Sequence, residues 1–133
     1  MEYKNSNVKI NFSFSQNIKI QKKRLPYYRL QTVVSNLINN AVEAYPKSEI
    51  DKVINITLGA SDKNNMFKLE IVDFGRGFSK NLQESIFDAG FTLSKNNGKG
   101  LGLFLAKNLI NELSGRIWMD SFPGKGTRVT LEF

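Results

Sequence analysis

The chain has 133 residues with no cysteine and no histidine, and its formal net charge is +7. This length fits one domain over residues 1–133 that buries its own core without disulfides. The missing cysteine and histidine exclude thiol catalysis, histidine-based hydrolysis and the common zinc sites. No apolar run reaches the roughly 18 residues that a membrane-spanning helix needs, and no signal peptide is recognisable. We therefore expect a cytoplasmic domain that makes no membrane contact itself.

The positive charge is dispersed along the chain rather than gathered in a stripe. Its one dense basic cluster is Lys22-Lys23-Arg24, and aromatic residues do not alternate with this cluster as they do in a nucleic-acid stacking groove. We therefore expect no nucleic-acid partner. A solvated basic face, or attraction for a polyanionic small molecule, is the better explanation of the charge.

The first half of the chain is predicted to hold regular structure. Apolar and polar residues alternate over 8–15, which is typical of a half-buried strand, and 18–20 has the same pattern for a short continuation. From residue 30 to residue 45 the apolar residues recur at steps of three and four. This spacing predicts an amphipathic helix that ends before Pro46.

The second half combines further elements with most of the glycines. The predicted elements are strands at 53–60 and 66–72 joined by a turn at 62–65, a helix at 101–113 capped by Gly115, and strands at 117–122 and 127–133. The order of strand, helix, hairpin, helix and hairpin predicts an α+β fold, in which a mixed sheet carries helices on one face.

Polar residues on the first predicted helix form the first candidate site. Asn36, Asn40 and Glu43 share one flank of the apolar stripe, because they are spaced four and then three residues apart. Amide and carboxylate oxygens are ligands that Mg²⁺ prefers. Polar residues on the wet side of an ordinary helix have the same pattern, and for this helix alone that is the simpler interpretation.

The segment Asp73-Phe74-Gly75-Arg76-Gly77-Phe78 directly follows a predicted strand. An acid at the end of a strand, followed by two alternate glycines, presents a carboxylate beside a sharply turning backbone that can approach a flat ligand. A carboxylate only accepts hydrogen bonds, so the matching ligand group is a donor such as an exocyclic amine. An ordinary Asp-Gly turn has the same sequence and, in isolation, is the simpler interpretation.

The segment Gly98-Lys99-Gly100-Leu101-Gly102-Leu103 precedes the second predicted helix. Alternate glycines that enter a helix expose N–H groups to an anion. The segment matches neither the Walker A loop nor the dinucleotide fingerprint, so alone it is weak support for a phosphate site. The polar stretch that follows Phe87 predicts a flexible lid at about 88–99. Lys95 and Lys99 flank the presumed phosphate-binding segment, either as phosphate partners or as solvated lysines.

The order and spacing of the motifs are more specific than any one of them. Together, Asn36-x-x-x-Asn40-Ala41, Asp73-x-Gly75-x-Gly77, Phe87, Gly98-x-Gly100-Leu101-Gly102-Leu103 and Gly124-x-Gly126-Thr127 resemble the gyrase, Hsp90, histidine kinase and MutL ATPases. Within that family, residues 8 to 133 resemble the catalytic ATP-binding domain of a bacterial sensor histidine kinase. The resemblance implies a two-layer α/β sandwich of the Bergerat type, with a mixed, mostly antiparallel sheet and a flexible ATP lid.

The resemblance also implies a role for each motif. Asn36, Asn40 and Lys95 would be the catalytic residues, and Asn40 would hold Mg²⁺. The residues that would contact ATP are Asp73, Gly75, Gly77, Phe87, Gly98, Lys99, Gly100, Leu101, Gly102, Leu103 and Thr127. Among them, Asp73 would accept the adenine amine, Thr127 would complete a water network there, and Phe87 would hinge the lid. Glu43 departs from the pattern, because many of these kinases carry a basic residue at this position.

The implied activity is transfer of the γ-phosphate of Mg-ATP to a histidine on a dimerisation domain, with a response regulator downstream. Gyrase-like hydrolases and anti-sigma serine kinases carry an acid one helical turn before the metal asparagine, whereas this chain has Asn36, whose amide cannot take a proton. Without a histidine, the chain is not expected to complete autophosphorylation alone. A non-catalytic nucleotide-binding module and an anti-sigma-type protein serine kinase are the alternatives.

Overall fold

The computed structural model describes residues 7–15, 24–61, 66–83, 85–88 and 102–133. Its elements in chain order are β1 (Asn7–Phe14), α1 (Tyr27–Glu43), β2 (Asp51–Ala60), β3 (Phe67–Asp73), α2 (Lys80–Gln83), α3 (Gly102–Glu112), β4 (Arg116–Phe122) and β5 (Gly126–Glu132). The predicted α+β order is confirmed, and the short α2 is an addition that the apolar pattern did not indicate. None of the helices in this part of the chain combines the length and apolarity needed to cross a bilayer.

The strands form a five-stranded sheet in the order β1-β2-β3-β5-β4. β1 pairs with β2 in parallel, and every other pair is antiparallel, so the predicted mixed, mostly antiparallel sheet is confirmed. Asp73 at the end of β3 lies opposite Ile54 of β2 on one side and opposite Thr127 of β5 on the other. This register brings the predicted Asp73 and Thr127 motifs together where the inner strand β3 ends and its neighbour β5 begins.

The core lies between the sheet and the helices α1 and α3. α1 packs against β2, β3 and α3, and α3 packs against β4. The buried core residues from these elements are Val33, Leu37, Ala41, Ile54, Ile56, Leu69, Ile71, Leu103, Ala106, Leu109, Ile110, Val129 and Leu131. Burying one large aliphatic side chain contributes about 1.5–3 kcal/mol to the stability of the fold, so these core residues hold α1 and α3 on the sheet.

The start of α1 and the cap of α3 differ from the prediction. α1 begins at Tyr27, directly after Pro26, rather than at residue 30. Proline favours the first turn of a helix, because its missing N–H would have no partner there. At the end of α3, the left-handed residue is Ser114, with φ 57°, rather than the predicted cap Gly115. Gly115 donates its N–H to the Ile110 carbonyl, and a Cβ on Gly115 would collide with the Glu132 carbonyl.

The prediction of a half-buried first strand is wrong in its burial. β1 is a strand, but all eight of its residues are exposed. Phe12 and Phe14 are 53% and 66% exposed, although Phe12 lies opposite the buried Ile56. β1 is at the edge of the sheet, beyond the strands that α1 and α3 cover. The predicted continuation at 18–20 and the turn at 62–65 are outside the described residues.

Candidate functional site

A cavity opens where α1 faces the end of β3 and the start of β5. It is lined by Leu37, Asn40, Ala41, Ala44, Ile71, Asp73, Phe78, Leu103, Met119, Thr127 and Val129. Three of these residues, Asn40, Asp73 and Thr127, are polar, and the others are apolar. Residues from the predicted metal, adenine and phosphate motifs therefore meet at one cavity: Asn40, Asp73 and Leu103.

Asp73 is the buried acid of this cavity. Its side chain is 6% exposed, and its Oδ1 accepts the Gly75 N–H at 2.9 Å. Burial raises the pKa of the Asp73 carboxyl to about 6, although hydrogen bonds from the backbone N–H groups of Gly75 and Thr127 lower it in part. The remaining oxygen lone pairs of this carboxylate make it an acceptor for a ligand donor.

The two glycines after Asp73 are required by the packing of the protein itself. A Cβ on Gly75 would collide with the carbonyl of Ala44, at the end of α1. Gly77 has φ +67°, and its Cβ would collide with the Phe122 carbonyl. These close approaches explain the two glycines without a ligand, so the closeness of their backbone to adenine stays a prediction.

Thr127 lies opposite Asp73 in the sheet, and its hydroxyl contacts that of Ser121. The Ser121 hydroxyl accepts the Phe78 N–H at 2.7 Å and donates to the Gly126 carbonyl at 3.0 Å. Ser121 and Thr127 hydroxyls are 2.8 Å apart. Either hydroxyl can be the donor in this contact, and in both cases the Thr127 oxygen keeps a lone pair that can accept a hydrogen bond.

Asn36 and Asn40 occupy successive turns of α1, as predicted. Asn40 is half-buried and lines the cavity, and Asn36 lies beside Gly102, the first residue of α3. A Cβ on Gly102 would stand 3.6 Å from the Cβ of Asn36, which is an ordinary contact. The packing of the protein therefore leaves room for a side chain at Gly102. Asn39 is exposed on α1.

Most of the predicted lid lies outside the described residues. Lys95, Gly98, Lys99, Gly100 and Leu101 lie outside the described residues. Phe87, the predicted hinge, is half-buried against the core, and the Lys107 Nζ is 6.0 Å from the centre of its ring.

Three residues with polar contacts around the Asp73 turn were not predicted as site residues. They are Ser121, Gln83 and Tyr45. Gln83 Nε2 donates to the Ser121 carbonyl at 3.0 Å and to the Phe78 carbonyl at 3.3 Å, which attaches α2 to β4. Tyr45 is the last apolar position of the first predicted helix, but nothing in the spacing indicates partners for its hydroxyl.

The fold and this cavity define the class of protein. Residues 27–133 match the family described as histidine kinase-, DNA gyrase B-, and HSP90-like ATPase, and the chain belongs to this family. Within the family it is a catalytic domain of the histidine kinase type. It is 36% identical over 103 residues to a probable C4-dicarboxylate sensor kinase of Bacillus subtilis (strain 168), an alignment that covers 76% of this chain and 19% of the relative.

A second relative covers more of the chain. It is the sensor histidine kinase ZraS of Escherichia coli O157:H7, 32% identical over 122 residues, or 92% of this chain and 25% of that protein. The chain thus spans between 19% and 25% of the length of these two relatives.

Solved structures agree on the fold. The nucleotide-free catalytic domain of histidine kinase ThkA has a TM-score of 0.74 and 24% identity, covering 95% of this chain and 78% of that one. Full-length ShkA in complex with AMPPNP has a TM-score of 0.77 and 22% identity, covering 94% of this chain and 25% of that one. The predicted Bergerat-type α/β sandwich is confirmed.

Proposed function

We propose that this domain binds Mg-ATP in the cavity and donates the γ-phosphate to a histidine on a dimerisation domain that is not part of this chain. The observation that carries the proposal is the meeting of Asp73, Thr127, Asn40 and Leu103 at one cavity. A buried acceptor for a base, an amide for a metal and the start of a helix for phosphates are the three parts that an ATP site needs.

Adenine recognition is supported by two hydrogen-bond acceptors that line the cavity, Asp73 and Thr127. The Asp73 carboxylate only accepts hydrogen bonds, and the Thr127 oxygen keeps an accepting lone pair whichever hydroxyl donates in its contact with Ser121. Both therefore suit the 6-amine of adenine, directly or through water, and the carboxylate disfavours the carbonyl oxygen that guanine carries at this position. The apolar lining, which includes Ile71 and Met119, suits the faces of a flat base.

Phosphate binding is proposed for the start of α3. The first turn of a helix has N–H groups without helical partners, and its dipole favours an anion. Gly102 begins this helix, and its missing side chain leaves the space beside Asn36 open. The preceding Gly98, Lys99, Gly100 and Leu101, together with Lys95, are proposed to add N–H groups and positive charge. Phe87 is proposed as the hinge of this segment.

The residues present fit Mg²⁺ only in company with a nucleotide. The described residues contain no group of three or more acidic, histidine or cysteine side chains that could hold a metal by themselves. Asn40 supplies one neutral amide oxygen, and Mg²⁺ commonly takes one or two protein ligands while phosphate oxygens and water complete its shell. When bound, Mg²⁺ would neutralise charge on the phosphates.

Transfer to an outside nucleophile, rather than hydrolysis, is supported by Asn36. This position is one helical turn before Asn40, where a general base would have to stand to activate water, and an amide cannot accept a proton near neutral pH. The domain would then hold ATP in place and exclude side reactions while a histidine approaches the γ-phosphate. The acceptor must come from elsewhere, because this chain contains no histidine.

The setting that we propose is two-component signalling in the cytoplasm, with a response regulator receiving the phosphate from the histidine. It is supported by the names of the relatives, which are sensor kinases and a sensor protein of several bacteria.

The test has two stages. Calorimetry with ATP, ADP and GTP, with and without Mg²⁺, should give tight binding for the adenine nucleotides and weak binding for GTP. Asn40→Ala should remove the Mg²⁺ dependence, whereas Asn39→Ala, an exposed neighbour on the same helix, should behave as wild type. Equal binding of GTP and ATP would refute the base assignment.

The second stage follows the phosphate. Incubation with γ-labelled ATP and Mg²⁺ should leave the isolated chain unlabelled, and addition of a histidine-bearing dimerisation domain from a sensor kinase should give labelling of that domain. ATP binding without transfer to any such domain would favour a non-catalytic regulatory module. Stable label on a serine of a protein substrate would favour a serine kinase instead.

A further inference from the structure

Tyr45 stands where β2 and β3 stop pairing. The antiparallel register of these strands ends with Ile54 opposite Asp73. One residue further, the same register would put Val53 opposite Phe74, where a ladder hydrogen bond would join the Phe74 N–H to the Val53 carbonyl. Instead, the Tyr45 hydroxyl lies between these groups. It accepts the Phe74 N–H at 2.9 Å and donates to the Val53 carbonyl.

The hydroxyl thus takes the place of a ladder hydrogen bond and ends the pairing at Asp73. A phenol can donate one hydrogen bond and accept another, so Tyr45 satisfies both backbone groups at once. The Tyr45 side chain is held firmly, because the residue is only 8% exposed.

The end of α1 also holds the rest of the turn. The Ala44 carbonyl accepts the Arg76 N–H at 3.0 Å. The middle N–H of the turn, that of Gly75, bonds to the Asp73 carboxylate at 2.9 Å. The three N–H groups of residues 74–76 are therefore all occupied, two of them by consecutive residues at the end of one helix. The direction of the Asp73 carboxylate follows the path of this turn, because its Oδ1 is bonded to the turn itself.

We propose that Tyr45 is a positioning residue for adenine recognition. Its hydroxyl, inserted at the end of the β2–β3 ladder, sets the direction in which the Asp73 carboxylate faces the cavity. The inference rests on the proposed function, since it requires Asp73 to meet the adenine amine. Without the hydroxyl, the Phe74 N–H loses its acceptor, and the turn with the carboxylate shifts toward Val53.

The test compares Tyr45→Phe with wild type for two nucleotides, ATP and purine riboside 5′-triphosphate, which has hydrogen in place of the 6-amine. Calorimetry with Mg²⁺ at neutral pH measures both dissociation constants. Wild type should bind ATP about tenfold or more tightly than the analogue, because the amine pairs with a charged acceptor. In Tyr45→Phe this ratio should fall about threefold to tenfold, while the affinity for the analogue changes by less than about twofold.

The matched control is Tyr28→Phe, on the same helix. The Tyr28 side chain is 82% exposed, so this variant should keep the wild-type ratio. An unchanged ratio in Tyr45→Phe overturns the proposal. Equal weakening of both nucleotides also overturns it, because it would assign Tyr45 to general stability. A wild-type ratio near one overturns the adenine assignment and this inference with it, whereas a high wild-type ratio that Tyr45→Phe retains overturns this inference alone.

A second measurement applies if Tyr45→Phe does not fold. The Phe74 N–H lies beyond the strand ladder, and its acceptor is the Tyr45 hydroxyl. Amide hydrogen exchange of wild type should therefore show this N–H to be protected, at least about tenfold relative to an open turn. Exchange of the Phe74 N–H at the rate of an open turn overturns the proposal.

Discussion

Replacing the Asp73 carboxyl with an amide should separate the stability of the fold from its capacity to bind ATP. Burial raises the pKa of Asp73 from 3.8 to about 6 in the folded protein. Between these two values the folded state holds more protons than the unfolded chain, so the free energy of unfolding falls as pH rises through this window. A shift of about two units corresponds to about 3 kcal/mol, lost between about pH 4 and pH 7.

Asp73→Asn has no such titration. The amide oxygen can still accept the Gly75 N–H, so at about pH 4, where both side chains are neutral, the two proteins should have similar free energies of unfolding. Above about pH 7 the variant should be more stable by up to about 3 kcal/mol. ATP binding should nevertheless weaken by about tenfold or more, because the amide loses the charged acceptor for the adenine amine.

The assay is urea unfolding of both proteins at intervals from about pH 4 to pH 8, with calorimetry of ATP binding at neutral pH. Asp120→Asn is the control for the loss of one negative charge, because the Asp120 side chain is about half-exposed beside Arg128, at 3.4 Å, on the other face of the sheet. If the difference in free energy of unfolding between wild type and Asp73→Asn stays constant across this pH range, the reasoning is refuted, since ionisation of the buried carboxyl would then not destabilise the fold.

Three further predictions follow from the same geometry. As pH falls from about 7 to 5, the preference for ATP over purine riboside triphosphate should drop about tenfold as Asp73 takes up a proton, and calorimetry with both nucleotides cancels the titration of the phosphates. Gly102→Ala should leave the unfolding midpoint unchanged or raise it, because the added Cβ makes an ordinary contact with Asn36 and alanine favours a helix. The same variant should weaken ATP binding, and unaltered affinity would argue against the phosphate assignment. Gly75→Ala should cost about 2 kcal/mol or more in urea unfolding, because its Cβ meets the Ala44 carbonyl, and a wild-type midpoint would contradict this packing.

The order of elements was predictable because each element carries its own local signal. The period of the apolar residues changes from two to three or four at α1, and the buried residues Val33, Leu37 and Ala41 are those of the predicted stripe. The motifs after β3 and before α3 are each weak alone and were recognised from their joint order and spacing along the chain. Asp73 and Leu103 were therefore expected in one site, and they do line one cavity.

Apart from the start of α1, which depends on the adjacent Pro26, the errors have a common physical origin, since each depends on contacts between segments distant in sequence. The alternation in β1 indicates a strand, but its burial depends on whether α1 or α3 reaches the edge of the sheet, and no local pattern contains that information. Gly115 was predicted as a cap, but it is a glycine because β5 passes close to it. The hydroxyls of Tyr45 and Ser121 find partners that are close only after the sheet has formed.

One helix, α1, supports three described parts of the candidate site. α1 places Asn36 beside the start of α3 and Asn40 in the cavity, and the residues just after it hold the turn that follows Asp73. Because Val33, Leu37 and Ala41 of α1 are buried in the core, the distance between Asp73, the proposed adenine acceptor, and α3, the proposed phosphate helix, is set by a packed helix rather than by loops. Phosphoryl transfer depends mainly on positioning. If the proposed assignment holds, α1 is therefore the element through which a change in the core would reach both ends of a bound nucleotide.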